Sequence, residues 1–367
     1  MKITLDPPLP PALPQGATLL LCSTVPASYA QSVANQLQIL KREDISLIDA
    51  PVSGGAGRAR AGTLSIMAGA SPSAIGKGKW LLSEMSDPKK LFIVEGGIGQ
   101  GSNMKMVHQV LAGIHILATS EAMGLAARFG LDPRRVREAV VGSEAWSWMF
   151  ENRTPRILSE DYFPGESALT IILKDVGIVT SMARLKGFPT PMCGIAEQVY
   201  TAALARGWGP NDDAGMVRMY YLEPVTKVVE AKSEEGEAER RTRLIVRMLV
   251  AIHVCAAAES IAFAKHVGIP LEQLYELAVD AAGGSVMFRE CGRDMIRGLT
   301  GDAEVWSKTA RNNLGQLIKD LSQAVDEAFE AKCPSFLASG ALNLLTLGQK
   351  QGRSTDSDAS IVKIWNV

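Results

Sequence analysis

The sequence predicts an α/β sheet in its first hundred residues joined to an all-α remainder, and three observations carry that reading. Short apolar runs closed by Gly or Pro alternate with helical stretches as far as residue 102. From Asn103 onward the pattern turns to long, alanine-rich helical periodicity. That second part then repeats itself in order over about a hundred residues.

Residues 17–23 (Ala-Thr-Leu-Leu-Leu-Cys-Ser) follow a Pro-rich lead and Gly16, and their continuous apolar run predicts a strand buried on both faces. A helical pattern runs from Ser28 to Leu40. Residues 46–51 (Ser-Leu-Ile-Asp-Ala-Pro) predict a second strand, stopped by Pro51 and opening into a glycine-rich loop at Ser53, Gly54, Gly55 and Gly57. The run from Thr63 to Ala68 ends at Gly69, and that from Leu91 to Val94 leads into Gly96 and Gly97.

In the helical part, Ile114, His115, Glu121 and Gly130 recur as Ile252, His253, Glu259 and Gly268, each 138 residues further on. Lys174, Asp175, Pro189, Asp213, Ala214 and Val217 recur as Lys319, Asp320, Pro334, Asp358, Ala359 and Val362, now 145 residues on. Two tandem copies are expected, because stacking buries faces that one copy leaves open. The plan is a sheet domain over 1–102, a first helical copy over 103–225, a charged connector over 226–243 and a second copy over 244–367. Leu244 to Ala264 is the most apolar stretch, but Arg247, His253 and Glu259 inside it would be costly in hydrocarbon. It reads as a buried helix, and no membrane partner is expected.

Composition excludes other classes. With 38 basic against 39 acidic side chains and 6% aromatics, there is no basic excess for a phosphate backbone and no stacking platform, so no nucleic-acid partner is expected. Residues 6–11 (Asp-Pro-Pro-Leu-Pro-Pro) do not suit a signal helix. The five cysteines are far apart with no C-x-x-C spacing, so neither a disulfide framework nor a metal site is suggested, and a cytoplasmic, reducing compartment fits.

The motifs that bear chemistry cluster in the first 175 residues. Residues 49–57 (Asp-Ala-Pro-Val-Ser-Gly-Gly-Ala-Gly) set three glycines beside Ser53 at a strand end, where backbone amides approach an anion and a hydroxyl orients it. A plain glycine turn fits the same residues. Gly97, Gly99 and Gly101 follow a strand and open a helix, but G-x-G-x-G is not the G-x-G-x-x-G of a dinucleotide fingerprint. On that helix Lys105, His108 and Gln109 lie at i, i+3 and i+4, one face that suits a carboxylate and its neighbouring hydroxyl. A partly buried lysine releases its proton readily enough to serve as base and acid. The alternative is a surface lysine beside a core-facing histidine. Lys174 and Asp175 sit mid-helix among Ile171, Ile172, Leu173 and Val176, from where the lysine reaches the same cleft or lies on a solvated face. His115 and His253, flanked by aliphatic residues, read as packing histidines with satisfied ring nitrogens, and Met104, Met106 and Met123 as core.

Taken together, Asp49-Ala-Pro-Val-Ser-Gly-Gly, Gly62-Thr-Leu, Gly97-x-Gly leading to Lys105, Glu121-Ala-Met, Gly130-Leu-Asp-Pro and Lys174-Asp175 resemble the β-hydroxyacid dehydrogenase family, which includes 3-hydroxyisobutyrate and 6-phosphogluconate dehydrogenases. The resemblance covers roughly residues 15–222. His108 and Gln109, with Ala112-Gly-Ile-His behind them, are most similar to the threonate dehydrogenase branch. It implies a partial Rossmann-like sheet followed by two tandem 6-phosphogluconate-dehydrogenase-type helical domains. The implied activity is NAD(P)-dependent oxidation or reduction of a small hydroxy acid, threonate-like or 3-hydroxyisobutyrate-like.

By that resemblance Lys105 is the acid/base, Ser53, Gly54 and Gly55 hold the substrate carboxylate, and His108 and Gln109 complete the substrate site. Thr24, Gly99 and Lys174 go to the NAD or NADP cofactor. The family's usual asparagine four residues after the lysine is Gln109 here. The family's opening βαβ unit, whose G-x-G-x-x-G holds the pyrophosphate on a helix N-terminus, has no counterpart, so impaired cofactor binding is expected. In the second copy Lys105 aligns with Arg243, which stays protonated and cannot act as a base. That copy is expected to be structural, replacing the partner subunit's helical domain of dimeric relatives in a monomer or a homodimer. Two other functions stay open: redox-neutral acid/base chemistry (isomerase, lyase or cyclase) in the same cleft, and a non-catalytic binding module.

Overall fold

A computed structural model describes residues 13–228, 236–307 and 312–367. They fall into two compact units that divide between Met106 and Val107. The proline-rich residues 6–11 and residues 229–235 of the expected connector lie outside the described residues.

The first unit is α/β. Strand β1 (Thr18–Leu21) pairs in parallel with β2 (Ser46–Asp49), Leu19 opposite Leu47, and helix α1 (Ala27–Ile39) makes the crossover. Ala27, Ala30, Val33 and Leu37 form the buried stripe of α1 at helical spacing, and Val33 and Leu37 pack on Ile45 and Leu47. A second sheet has the order β3 (Val52–Ser53), β4 (Leu64–Ala68), β5 (Ser86–Ile93), with β4 antiparallel to β3 and parallel to β5. A bridge between Asp49 and Gly69 joins the two sheets. Helix α2 (Gly55–Arg60) follows β3, and α3 (Pro72–Met85) starts at a Ser71 cap, its hydroxyl accepting from Ala74 N at 3.3 Å, with proline in the first turn. Fully buried Ile48, Ile66 and Leu82 centre this core, each worth roughly 1.5–3 kcal/mol.

Two sequence expectations change here. β1 is half-exposed rather than buried on both faces. Leu19 and Leu21 pack toward α1 and Leu20 toward the Ile48 cluster, but among the described residues β2 is the neighbour on one side and nothing pairs on the other. The glycine-rich stretch is a loop only at its start, because the backbone becomes helical at Gly55.

The second unit is helical and carries the repeat. Helix α4 (Gln100–Arg128) begins in the first unit and is followed by α5 (Pro133–Val141), α6 (Trp148–Ser159), α7 (Leu169–Leu185) and α8 (Pro191–Ala205), then a 3-10 turn at Asp213–Met219. The second copy comprises α9 (Glu237–His266), α10 (Leu271–Val279), α11 (Val286–Leu299), α12 (Leu314–Glu330), α13 (Phe336–Lys350) and a 3-10 turn at Asp358–Trp365. Pro133 and Leu271, like Trp148 and Val286, start equivalent helices 138 residues apart, whereas Leu169 and Leu314, like Pro191 and Phe336, do so 145 apart. The repeat is therefore built as equivalent helices, with its insertion between Val286 and Leu314. Residues 237–243 of the expected connector are the opening turns of α9.

Equivalent residues of the two copies meet. Ser147 bridges Ser285, and each hydroxyl caps its own helix, accepting from Phe150 N at 3.3 Å and Phe288 N at 3.0 Å. The rings of His115 and His253 stand edge to face with centroids 4.4 Å apart. Both are buried and neither has a hydrogen-bond partner on its ring nitrogens, so the expectation of satisfied histidines is corrected: they pack on each other. Helices α4 and α9 are long and apolar enough to cross a membrane by length and composition, yet those windows are 100% and 89% buried in the protein. Their hydrophobicity is spent on one another and on the surrounding helices, as read for Leu244 to Ala264. All five cysteines are free thiols.

Candidate functional site

Asp49, at the end of β2, is the anchor of the first unit. Its fully buried carboxylate accepts from Gly99 N at 3.1 Å, Ser102 N at 2.8 Å and Ser102 Oγ at 2.7 Å. Burial pushes this carboxyl up from its ordinary value, and the three donors pull it back. The bonds tie the start of α4 to the strand, and so set the path of the helix that carries Lys105. Gly101 allows the approach: a Cβ there would lie 2.4 Å from both Asp49 O and Met67 O. Asp49 was part of the sequence motif, but its task of holding the helix start was not visible in it.

Lys105 is buried on α4, one turn ahead of His108 and Gln109, which are buried as well. Ser53 is buried on β3, where its backbone pairs with Ser65. Gly54 and Gly55 have φ of 134° and 66°, conformations that side chains resist. Thr24 follows β1, and Gly99, at φ 99°, lies in the turn into α4.

In the second unit the structure brings His108, Gln109 and Lys174 together through Asp175, which the sequence motif included beside Lys174 without a task of its own. Gln109 Nε2 donates to Asp175 Oδ2 at 2.5 Å, and Lys174 Nζ lies 2.8 Å from Asp175 Oδ1. Gln109 Oε1 is 3.3 Å from His108 Nδ1. Asp175 is buried while the Lys174 side chain is 42% exposed, so the acid faces the core and the lysine the rim. The signal was present in the spacing: Ile172, Asp175, Val176 and Val179 form the buried stripe of α7, and Lys174 lies off it. The remaining candidates, Thr24, Ser53, Gly54, Gly55, Gly99 and Lys105, belong to the first unit.

Comparison with known proteins matches two domain families. Residues 3–97 match the NAD binding domain of 6-phosphogluconate dehydrogenase. Residues 99–220 and again 238–365 match the family described as NAD-binding of NADP-dependent 3-hydroxyisobutyrate dehydrogenase. The chain belongs to the β-hydroxyacid dehydrogenase family. The chain is 36% identical over 215 residues to the L-threonate dehydrogenase of Pectobacterium atrosepticum, covering 59% of this chain and 69% of that protein. It is also 36% identical over 208 residues to the L-threonate dehydrogenase of Escherichia coli K12, covering 57% and 67%.

Among solved structures, the 3-hydroxyisobutyrate dehydrogenase of Salmonella typhimurium is 35% identical with a TM-score of 0.53, over 57% of this chain and 71% of that one. The Plasmodium falciparum 6-phosphogluconate dehydrogenase shares the fold at 13% identity, with a TM-score of 0.58 over 90% of this chain and 72% of that one. The second match of the same domain family, on residues 238–365, gives the two copies of the helical repeat a common origin. The cofactor class that the matched families describe is NAD or NADP.

Proposed function

We propose that this chain acts as an NAD(P)-dependent oxidoreductase on a small hydroxy acid of the threonate or 3-hydroxyisobutyrate type. The observation that carries the reading is the buried Lys105 one turn ahead of His108 and Gln109, in a chain 36% identical over 215 residues to an L-threonate dehydrogenase. Oxidising an alcohol removes a hydride from carbon and a proton from oxygen. Nicotinamide, when bound, supplies the hydride acceptor. Lys105 Nζ, in its neutral form, takes the hydroxyl proton and returns it in the reverse direction. By the family resemblance, Ser53, Gly54 and Gly55 are the first unit's candidates for the substrate carboxylate, and His108 and Gln109 are the second unit's candidate substrate residues.

The residues present fit one end of the dinucleotide. Thr24 follows the C-terminal end of a parallel strand, where open α/β sheets bind ligands, and with Gly99 it is the first unit's candidate for the nicotinamide end; Lys174 is the second unit's candidate by resemblance alone. Among the described residues no helix opens from a G-x-G-x-x-G turn. Five free thiols suit a reducing, cytoplasmic setting. The second helical copy stands in for a partner's helical domain, in a monomer or a homodimer.

The test is titration of the chain with NADH and NADPH, followed by nicotinamide fluorescence and melting temperature, then turnover of L-threonate and 3-hydroxyisobutyrate. Saturable binding is expected, with turnover reduced roughly 10²–10⁴-fold in Lys105→Ala. Equal turnover in parent and Lys105→Ala, or none with either cofactor, would sink the assignment. The relatives favour this reading over redox-neutral chemistry or a binding module.

A further inference from the structure

The polar chain that joins Lys174, Asp175, Gln109 and His108 does not stop in the first helical copy. His108 Nε2 lies 3.1 Å from the backbone nitrogen of Gly283, in the second copy between α10 and α11. Both residues are in the second unit, and the contact is buried.

The direction of this chain is fixed at both ends. A backbone N–H only donates, so His108 Nε2 is the acceptor and the neutral ring carries its proton on Nδ1. Nδ1–H then donates to Gln109 Oε1 at 3.3 Å. With its oxygen so engaged, Gln109 presents its amide hydrogens to Asp175 Oδ2, a carboxylate oxygen that only accepts, at 2.5 Å. Reversing any link would oppose two donors or two acceptors.

Glycine is what lets the N–H reach the ring. A Cβ on residue 283 would stand 3.1 Å from both His108 Cδ2 and Nε2, and 3.0 Å from Leu111 Cδ1. The repeat offers an internal control. The residue 138 positions before Gly283 is Ala145, and the residue 138 positions after His108 is Val246, so the other half has neither the glycine nor the imidazole.

We propose that Gly283 is a positioning residue for the substrate face of α4: its N–H selects the Nδ1–H tautomer of His108 and, through it, the orientation of Gln109. The second copy then takes part in the site and is more than a scaffold. This rests on the reading of His108 and Gln109 as substrate-binding residues, but its test does not use turnover.

The experiment is a two-bond proton–nitrogen correlation spectrum of the full chain labelled with ¹⁵N-histidine, the His108 signals being assigned by their loss in His108→Asn. The parent is expected to show the Nδ1–H pattern at His108. Gly283→Ala is expected to lose that pattern as the major species, and Leu111→Ala combined with Gly283→Ala makes room for the methyl should the single variant fold poorly. Gln109→Leu is expected to keep it, because the Gly283 N–H still occupies Nε2. An Nε2–H pattern in the parent, an unchanged pattern in both Gly283 variants, or a switch in Gln109→Leu would each overturn the proposal. A chain with the Nδ1–H pattern and no dehydrogenase turnover would overturn the proposed function and leave the tautomer assignment standing.

Discussion

Glu121 accepts the backbone N–H of Ala338, 217 residues further along the chain, at 2.9 Å, and that of Leu337 at 3.0 Å. Its repeat partner Glu259 does the same in the opposite sense, accepting from Met192 N at 2.8 Å and Cys193 N at 2.9 Å. Each copy's long helix thus supplies the carboxylate that caps the other copy's fifth helix, α13 or α8, where free N–H groups and the helix dipole favour an anion. The copies are interlocked, and neither has a complete set of caps alone.

Truncating either glutamate leaves two buried backbone N–H groups without an acceptor, and truncating Glu121 strands the Tyr220 hydroxyl as well. Glu121→Ala is expected to lower the unfolding free energy by about 2–4 kcal/mol. Urea denaturation followed by circular dichroism reads the change, and a loss below about 0.5 kcal/mol would show that water replaces the carboxylate at no cost.

The same glutamates and the facing histidines set opposite pH dependences. Burial pushes the carboxyls of Glu121 and Glu259 up to about 7 from 4.5, against their N–H donors. The native chain therefore holds more protons than the unfolded one between those values, and stability is lost as pH rises through that window. Burial lowers His115 and His253 from 6.5, the latter to about 3, so below 6.5 the unfolded chain holds more protons and stability is lost as pH falls. Between 4.5 and 6.5 the two effects oppose each other. Relative to the parent, a His115→Phe, His253→Phe double variant is expected to lose stability more steeply as pH rises through 4.5–6.5 and less steeply on acidification below 4.5. Denaturation midpoints across that range compare the two, and parallel profiles would refute the assignment.

Arg153 donates to both oxygens of Asp213, at 2.7 and 2.9 Å, with the two side chains 8% and 0% exposed. Arg153→Leu strands a buried carboxylate and is expected to cost about 3–5 kcal/mol. At the equivalent place in the second copy Cys291 lies 3.4 Å from Asp358, so the arginine is specific to the first. Combining Arg153→Leu with Asp213→Leu should recover much of the loss, and an additive double variant would argue against a coupled pair.

The start of α4 depends on Asp49. Asp49→Ala removes the acceptor of Gly99 N, Ser102 N and Ser102 Oγ, for an expected loss of about 2–4 kcal/mol. Asp49→Asn keeps a carbonyl acceptor and should cost less. If Lys105 is the acid/base, Asp49→Ala should also lower kcat more than it raises KM, because it lets the lysine's helix shift. Proteolysis of the first unit and steady-state kinetics separate the two effects.

The sequence by itself determined the class of each half and the duplication, and it named the candidate site residues, because these depend on local periodicity and on short motifs. Alternating apolar runs with glycine stops mark strands wherever they pack, and a recurring His, Glu and Gly at constant spacing marks a repeat without any coordinates. Tertiary structure alone decided who partners whom. The spacing of α7 already puts Asp175 on the buried stripe, but only the packing brings Gln109 Nε2 to it. His115 and His253 lack the partners expected of buried histidines because the repeat turns them on each other. The caps of α8 and α13, and the N–H that Gly283 presents to His108, come from the opposite copy. Such contacts join residues 66 to 217 positions apart. No local pattern encodes them, because burial penalises an unpaired polar group but only the packing determines which partner is within reach, or, as at His115 and His253, whether one is.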